Sequence, residues 1–430
     1  MMKNNAKLKI GVLGAHRGMT MIRQLLGHPD AELVAICDKY EPVFEKVRAE
    51  ADKYNVKVAL YTDFEDFVKH DMDAVVLANY ATEHAPFAVR QLNMGKHVLS
   101  EVLPCETIAQ AVELIETVEK TGKVYAYAEN YCYMAATFEM WRRYDLGVLG
   151  DFMYGEGEYV HDCGSIWPGI TYGEEDHWRN RMYSTFYCTH SIGPIVAITG
   201  KRPVRVSGFE TVPAEWMRKL GSKSSCTGAV EMVTFEDGTL MKSLHGSLKR
   251  EPGSTNYVLY GTKGMMESNR WEYDKVSSYV EGNELCIGEV MHYAPEKFIE
   301  KELASKEEGH AGSDFYPTHF FIEKILGREN GNKYSIDVYK AVDMGLCGIM
   351  AYRSILAGGQ PMDIPNLRLP EERDKYRNDN ACTTPEIAGN QLLPAYHTGD
   401  LKVDDGTYDR VKDMWLENTT ADYYHIKAND

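Results

Sequence analysis

Over roughly its first 130 residues the chain alternates short β-branched runs with longer stretches of helical period. The strand-like runs are KIGVLG, LVAICD, AVVLAN, HVLSEV and VYAYAEN, and the helical stretches between them span 21–26, 42–54, 84–94 and 108–119. Consecutive strands separated by helices cannot pair as hairpins; they need crossovers, so the pattern predicts a doubly wound parallel sheet of Rossmann type. Past 131–150 the pattern changes to strands with few helices: FMYGEGEYV, VRVSGFE, AVEMVTF, TLMKSLHG and NYVLYGTKG, with turns such as Glu236-Asp237-Gly238 between them. This predicts an α+β domain on a large open, mainly antiparallel sheet. Helices are expected over 190–198, 315–326 and 336–356. The resulting division is a nucleotide-binding domain at 1–131, a substrate-binding and oligomerisation domain at 132–365, and a polar extension at 366–430 that crosses the protein or a neighbour.

Charge and composition exclude several classes. A formal net charge of −17 repels nucleic acid and anionic membrane, and no apolar run approaches the ~18 residues that a membrane-spanning helix needs. The N-terminal segment enters a strand without the apolar core of a signal peptide, so a cytoplasmic location is expected. Nine cysteines, odd in number and without CxxC spacing, read as reduced thiols and not as a disulfide frame or zinc site.

Gly11, Gly14 and Gly18 separate the first strand from the first helix, where glycines allow the turn that brings helix N–H groups to a pyrophosphate. The run GAHRGM places His16 where a middle glycine is usual. Asp38 ends the second strand about 20 residues on, where a carboxylate accepts hydrogen bonds from ribose hydroxyls and repels a 2′-phosphate, which favours NAD over NADP. A helix N-cap is the alternative role for Asp38, and Arg17 beside the phosphates weighs the other way on NAD preference.

The segments MGKHVLSEV, AYAENY, GTKG, GHAGSDF and DVYKAVDMGL together resemble the Gfo/Idh/MocA oxidoreductases. Those enzymes usually carry a lysine directly after the glutamate of HVLSE, whereas this chain has Val102 after Glu101. Valine there resembles the branch of NAD-dependent glycoside hydrolases, the α-N-acetylgalactosaminidases of glycoside hydrolase family 109. The resemblance implies NAD contacts from Gly14, His16, Arg17, Asp38, Asn79, the Ala81 to His84 turn, Glu101, Val102 and Asn130. It implies sugar contacts from Tyr159, Arg179, the Tyr187-Cys188-Thr189-His190 turn and Tyr273, and a homodimer or homotetramer. His310 and Asp314 are expected to approach the site, and His84 either faces the nicotinamide or caps a helix.

Two departures set the expected chemistry. The family's lysine is replaced by Val102, and the aspartate that precedes its helix histidine by one turn is replaced by Phe186. Deprotonation then falls to His190, Tyr187 and Tyr159. His190 opens the apolar helix SIGPIVAI, whose dipole disfavours a charged imidazole, although a histidine bonded to a backbone carbonyl is the commoner case. The aromatic loop 161–183 is read as covering the sugar site, with Trp167 or Trp178 stacking on a pyranose. His161, Asp162, Glu174, Glu175, Asp176 and His177 match no ligand spacing, so no metal site is assigned.

These features predict an NAD-dependent enzyme that abstracts hydride from a ring carbon of a carbohydrate. The favoured reaction is redox-assisted glycoside cleavage: C3 oxidation, C2 deprotonation, then elimination at C1. A simple sugar or cyclitol dehydrogenase and a non-catalytic NAD- and sugar-sensing protein are the alternatives.

Overall fold

The computed structural model describes residues 7–282, 291–296, 299, 300, 303 and 312–417. Six short strands form the first sheet: β1 (Leu8–Leu13), β2 (Ala31–Cys37), β3 (Ala59–Tyr61), β4 (Ala74–Leu77), β5 (His97–Ser100) and β6 (Tyr125–Tyr127). Their order is β3-β2-β1-β4-β5-β6 and every pair is parallel. Strands covered on both faces need continuous apolar runs, and AVVL of β4 is buried at all four positions. The order reverses between β1 and β4, the crevice where open α/β sheets take their ligands.

Local signals end the helices where the sequence suggests. Thr107 caps helix Ile108–Thr121 by accepting the Gln110 N–H, and Gly122 closes it in a left-handed conformation at φ 64°. Ile10, Val12, Val76 and Leu99 meet Met21, Leu25 and Phe44 in the core. Phe321 and Ile322, from the distant helix Phe315–Ile325, complete it. The first compact unit is therefore discontinuous, drawn from Met1–Phe138, Pro295–Val342 and Leu367–Arg377; linear boundaries at 131 and 365 do not describe it.

The second unit comprises Glu139–Ala294, Asp343–Asn366 and Asn378–Asp430. Its sheet uses β7 (Phe152–Val160), β8 (Pro203–Glu210), β9 (Ala229–Phe235), β10 (Leu240–Gly246), β11 (Ser254–Gly261), β12 (Gly264–Ser268), β13 (Val276–Val280), β14 (Met291–Tyr293) and β15 (Met362–Asp363). The order is β14-β13-β12-β11-β7-β10-β9-β8-β15, antiparallel throughout except for the parallel pair β7–β10. Helix Thr189–Thr199 lies on this sheet with Thr189 to Ile198 all buried. It comes so close to β7 that a Cβ on Gly157 would stand 1.8 Å from the Ser191 carbonyl oxygen.

Within the described residues the polar extension has two parts that do different work. Helix Pro370–Tyr376 belongs to the first unit, where Arg373 pairs with Glu119 and Arg377 with Glu116. Residues 378–417 belong to the second. There Arg353 pairs with Asp379, Arg181 reaches the Thr383 carbonyl and Asp400, and Val411 of helix Thr407–Leu416 enters a cluster with Trp167, Met217 and Leu220. This second stretch clamps the 161–183 loop. Among the described residues no helix is long and apolar enough to cross a membrane. Eight cysteines are free thiols, and Cys286 lies outside the described residues.

His28 and His319 meet inside the first unit with Nε2 and Nδ1 3.1 Å apart. Burial holds their pKa values down, to about 4 and about 3, from an ordinary 6.5. Both stay neutral in the native state, while the unfolded chain takes up protons below its own pKa near 6.5. Stability from this pair is thus fully present above pH 6.5 and falls as the pH drops below it, by up to about 1.4 kcal/mol per pH unit for each histidine. Guanidinium unfolding between about pH 7 and pH 5 measures the slope, and His319→Gln is expected to remove its share.

Candidate active site

In the first unit, the turn after β1 is tight for an identifiable reason. Gly14 has φ 90°, and a Cβ there would stand 2.4 Å from the Ala78 carbonyl oxygen, so only glycine fits. Asp38 holds the same turn, since Oδ2 accepts the Ala15 N–H at 2.7 Å and Oδ1 accepts the Tyr40 N–H at 2.8 Å. Its carboxylate thus sits at the end of β2, next to the turn that opens helix Met19–Gly27, at the switch point of the sheet. Glycine turn, helix start and strand-end carboxylate together fit a dinucleotide. His16 is exposed at the crest of that turn.

Deeper in the same unit, Glu101, Val102 and Asn130 are all buried. The Val102 N–H donates to Glu101 Oε2 at 3.0 Å. Arg17 forms an ion pair with Glu101 and lies 3.7 Å from Asp314, which in turn accepts from Asn130 at 2.7 Å. A glycine-turn guanidinium, two carboxylates and an amide thus form one network. His84 opens helix His84–Asn93, and its Nδ1 lies 3.0 Å from the Leu103 carbonyl, tying the Ala81–Glu83 turn to the Glu101 segment. Burial lowers its pKa to about 4, so the ring is neutral and Nδ1 is the donor to that carbonyl. Asn79 donates to Glu83 at 2.9 Å beside this turn.

In the second unit, the aromatic residues converge. The His190 ring lies 4.7 Å from Tyr159 and 5.3 Å from Tyr187, centroid to centroid, both edge-on. Tyr187 stacks on Trp178 at 6.4 Å, and the Arg179 guanidinium lies over the Trp178 ring at 4.3 Å with Nη2 3.4 Å from the Tyr187 hydroxyl. Phe186 packs against Trp178 and Tyr183, filling with apolar surface the place read as an absent aspartate. The backbone explains why His190 is held so firmly. Pro194, inside helix Thr189–Thr199, has no N–H to give the His190 carbonyl, and the Tyr257 hydroxyl from β11 donates to it instead at 2.5 Å.

Several expectations change. Trp167 is 1% exposed in the cluster around Val411, so its indole cannot stack on a sugar. Thr189 has no exposed surface. Tyr273 is 38% exposed in the turn between β12 and β13, and among the described residues it makes no ring contact or hydrogen bond with Tyr159, Tyr187 or His190. Asp162 is paired with Lys249, and His177 accepts the Arg179 N–H, so both have protein partners. His310 lies outside the described residues. One pair escaped the sequence reading altogether: Glu231 and His245, both fully buried, face each other at 3.4 Å, and His245 also reaches the Ser184 carbonyl at 2.9 Å, at the start of the turn carrying Tyr187. A glutamate and a histidine at inward positions of neighbouring strands are the signal that could have found it.

Residues 8–129 match the family model described as the Gfo/Idh/MocA oxidoreductase family, NAD-binding Rossmann fold. A glycosyl hydrolase family 109 protein of Saccharopolyspora erythraea is 25% identical over 84% of this chain and 83% of its own length. An alpha-N-acetylgalactosaminidase of Tannerella forsythia is 25% identical over 85% and 87%. The fold is also that of scyllo-inositol dehydrogenase from Lactobacillus casei, solved with NAD(H) and scyllo-inositol, at TM-score 0.64 and 17% identity over 83% of this chain and 99% of that one.

Tyr257→Phe removes the hydroxyl that serves the His190 carbonyl in a buried site. The expected cost is about 1–3 kcal/mol of stability, read as a lower denaturant midpoint with an unchanged slope.

Proposed function

The chain carries over residues 8–129 the NAD-binding Rossmann fold of the Gfo/Idh/MocA oxidoreductase family, and on that premise we propose that it is an NAD-dependent enzyme that cleaves glycosides by a redox-neutral route. When bound, NAD supplies the acceptor for the hydride at C3 of the sugar and returns it after the glycosidic bond has broken. Gly14, Asp38, Glu101 and Asn130 form its binding residues, with Arg17 and the Ala81 to His84 turn. The observation that carries the reading is a contrast: the strand end offers Val102 in place of an ammonium, while the Tyr159–His190–Tyr187–Arg179 cluster is intact.

The remaining chemistry belongs to that cluster. A ketone at C3 acidifies the C2 proton, and His190 is the base that takes it, a role worth about 10²–10⁴-fold in rate. Arg179, held flat against Trp178, presents N–H donors to a substrate oxygen, and Tyr187 orients that guanidinium. Loss of the C2 proton expels the C1 substituent with its bonding electrons; the departing oxygen then takes up a proton. Water adds at C1, and the steps reverse to restore the sugar. The exposed anionic surface that disfavours nucleic acid is no obstacle to a neutral carbohydrate.

A panel of aryl glycosides in deuterated water tests the reading. Aglycone release with deuterium at C2 and no accumulation of NADH is expected; stoichiometric NADH without release rejects cleavage in favour of a sugar or cyclitol dehydrogenase. Bound NAD with neither response leaves the sensor reading. Val102→Lys is expected to gain dehydrogenase activity as glycoside cleavage falls, and efficient oxidation of free sugars by the wild-type protein contradicts the role given to Val102.

A further inference from the structure

His161 stands one residue beyond the end of β7, and its N–H continues the pairing with β10 by donating to the Gly246 carbonyl at 3.0 Å. In an extended segment, residues two apart share a face, so the imidazole stands beside Tyr159. Nδ1 lies 3.2 Å from the Tyr159 hydroxyl and the ring centroids are 6.1 Å apart. On its other side the Tyr159 ring meets His190 edge-on at 4.7 Å. Exposure rises in steps along this row, since His190 is buried, Tyr159 is half-buried and His161 is exposed. A buried base that takes a proton from carbon can return the same proton when the steps reverse, but exchange of that proton with water needs a path from the base to the surface.

We propose that Tyr159 and His161 form the proton exit of the site. As protonated His190 passes its proton to the Tyr159 oxygen, Tyr159 gives its own to His161 Nδ1, and the exposed imidazolium releases a proton to water. No net bond is made or broken in the relay, which runs backwards when C2 is reprotonated. The proposal rests on His190 acting as the base in the glycoside-cleavage reading.

The charges around His161 suit a proton carrier. The titratable groups facing it are Tyr159 from β7, Asp162 and Cys163 from its own loop, and Glu251 from the connection between β10 and β11. The Cys163 sulfur lies 3.9 Å from Nδ1, and Asp162 is itself engaged by Lys249 at 2.8 Å. The hydrogen bond with Cys163 and the charges of Cys163, Asp162 and Glu251 raise the histidine above its ordinary pKa, against partial desolvation of the ring by the groups packed around it. It therefore holds a proton closer to neutral pH than a free imidazole would.

Kinetics of the full-length protein with NAD and an aryl glycoside in deuterated water test the relay. His161→Ala is expected to leave kcat and KM little changed. Deuterium at C2 falls, because the abstracted proton returns to the carbon it left. Added imidazole restores the exchange. His161→Gln keeps an acceptor for the Tyr159 hydroxyl but cannot carry a proton, so it is expected to fail like alanine. A glutamine variant with wild-type C2 exchange overturns the relay and assigns His161 a packing role, as does an alanine variant whose lost exchange imidazole does not restore. If the wild-type protein releases no aglycone, the cleavage reading and the relay fall together; failure of the relay alone shows only in variants of an active protein.

Discussion

The contact on which the second unit depends is the near-collision of a helix with a strand. Gly157 of β7 has no side chain, so the backbone of helix Thr189–Thr199 rests directly on the sheet at Ser191. Gly155, two residues earlier on the same face, leaves room for Ile195 in the same way. Ser191 then bonds Ser243 of β10 at 2.7 Å, and Tyr257 of β11 reaches the His190 carbonyl. Three adjacent strands thus fix the first turn of one helix. Any larger residue at 157 must lift that turn, and the imidazole it carries, away from Tyr159. Interiors packed at crystal density transmit such a shift instead of absorbing it.

The same turn is fixed from its other side by groups that leave little freedom. Thr185 donates to the Gly348 carbonyl at 2.7 Å, and a Cβ on Gly348 would stand 2.3 Å from the Thr185 carbonyl oxygen. His245 reaches the Ser184 carbonyl while facing Glu231 inside the sheet's packed side. Burial opposes a charge on this ring, but the Glu231 carboxylate 3.4 Å from Nδ1 outweighs it and raises the histidine above its ordinary pKa. Bringing the two groups together out of water's reach costs desolvation and rewards only a single geometry. That geometry places the segment leading to Tyr187 and His190.

Much of this was legible in the chain, and the rest was hidden for physical reasons. The first sheet follows from period alone, because strands buried on both faces and separated by helices leave few topologies open. In the second sheet, patterning marks the strands but not their neighbours, so the parallel pairing of β7 with β10 is set by packing and invisible locally. Trp167 read as a sugar platform because a loop rich in aromatics looks like a binding surface. It is buried by Val411, some 240 positions away, on a helix whose apolar residues are too few and too interspersed with charge to announce it. Asp38 was legible as a strand-end carboxylate, but its two bonds to backbone N–H groups show that it shapes the glycine turn as well. Pro194 sat in plain view within an apolar helix, and only the Tyr257 hydroxyl reveals what its missing N–H required.

Val102 gains a sharper meaning from its surroundings. It is buried beside Glu101, a carboxylate that in a lysine-bearing strand would have an ammonium next to it. Here the cation comes from the glycine turn instead, as the Arg17 guanidinium paired with Glu101 and close to Asp314. The charge is replaced, but the chemistry is not. A lysine ammonium can surrender its proton when desolvated and take it back, whereas a guanidinium remains charged throughout the accessible pH range and offers donors only. Arg17 can therefore stabilise carboxylates and organise this part of the fold, yet it cannot relay the proton of a substrate hydroxyl. A site built this way has kept its electrostatic balance while losing its strand-end acid–base group. On the function proposed above, proton transfer falls to imidazole and phenol groups, and in the second unit Tyr159, Tyr187 and His190 stand together.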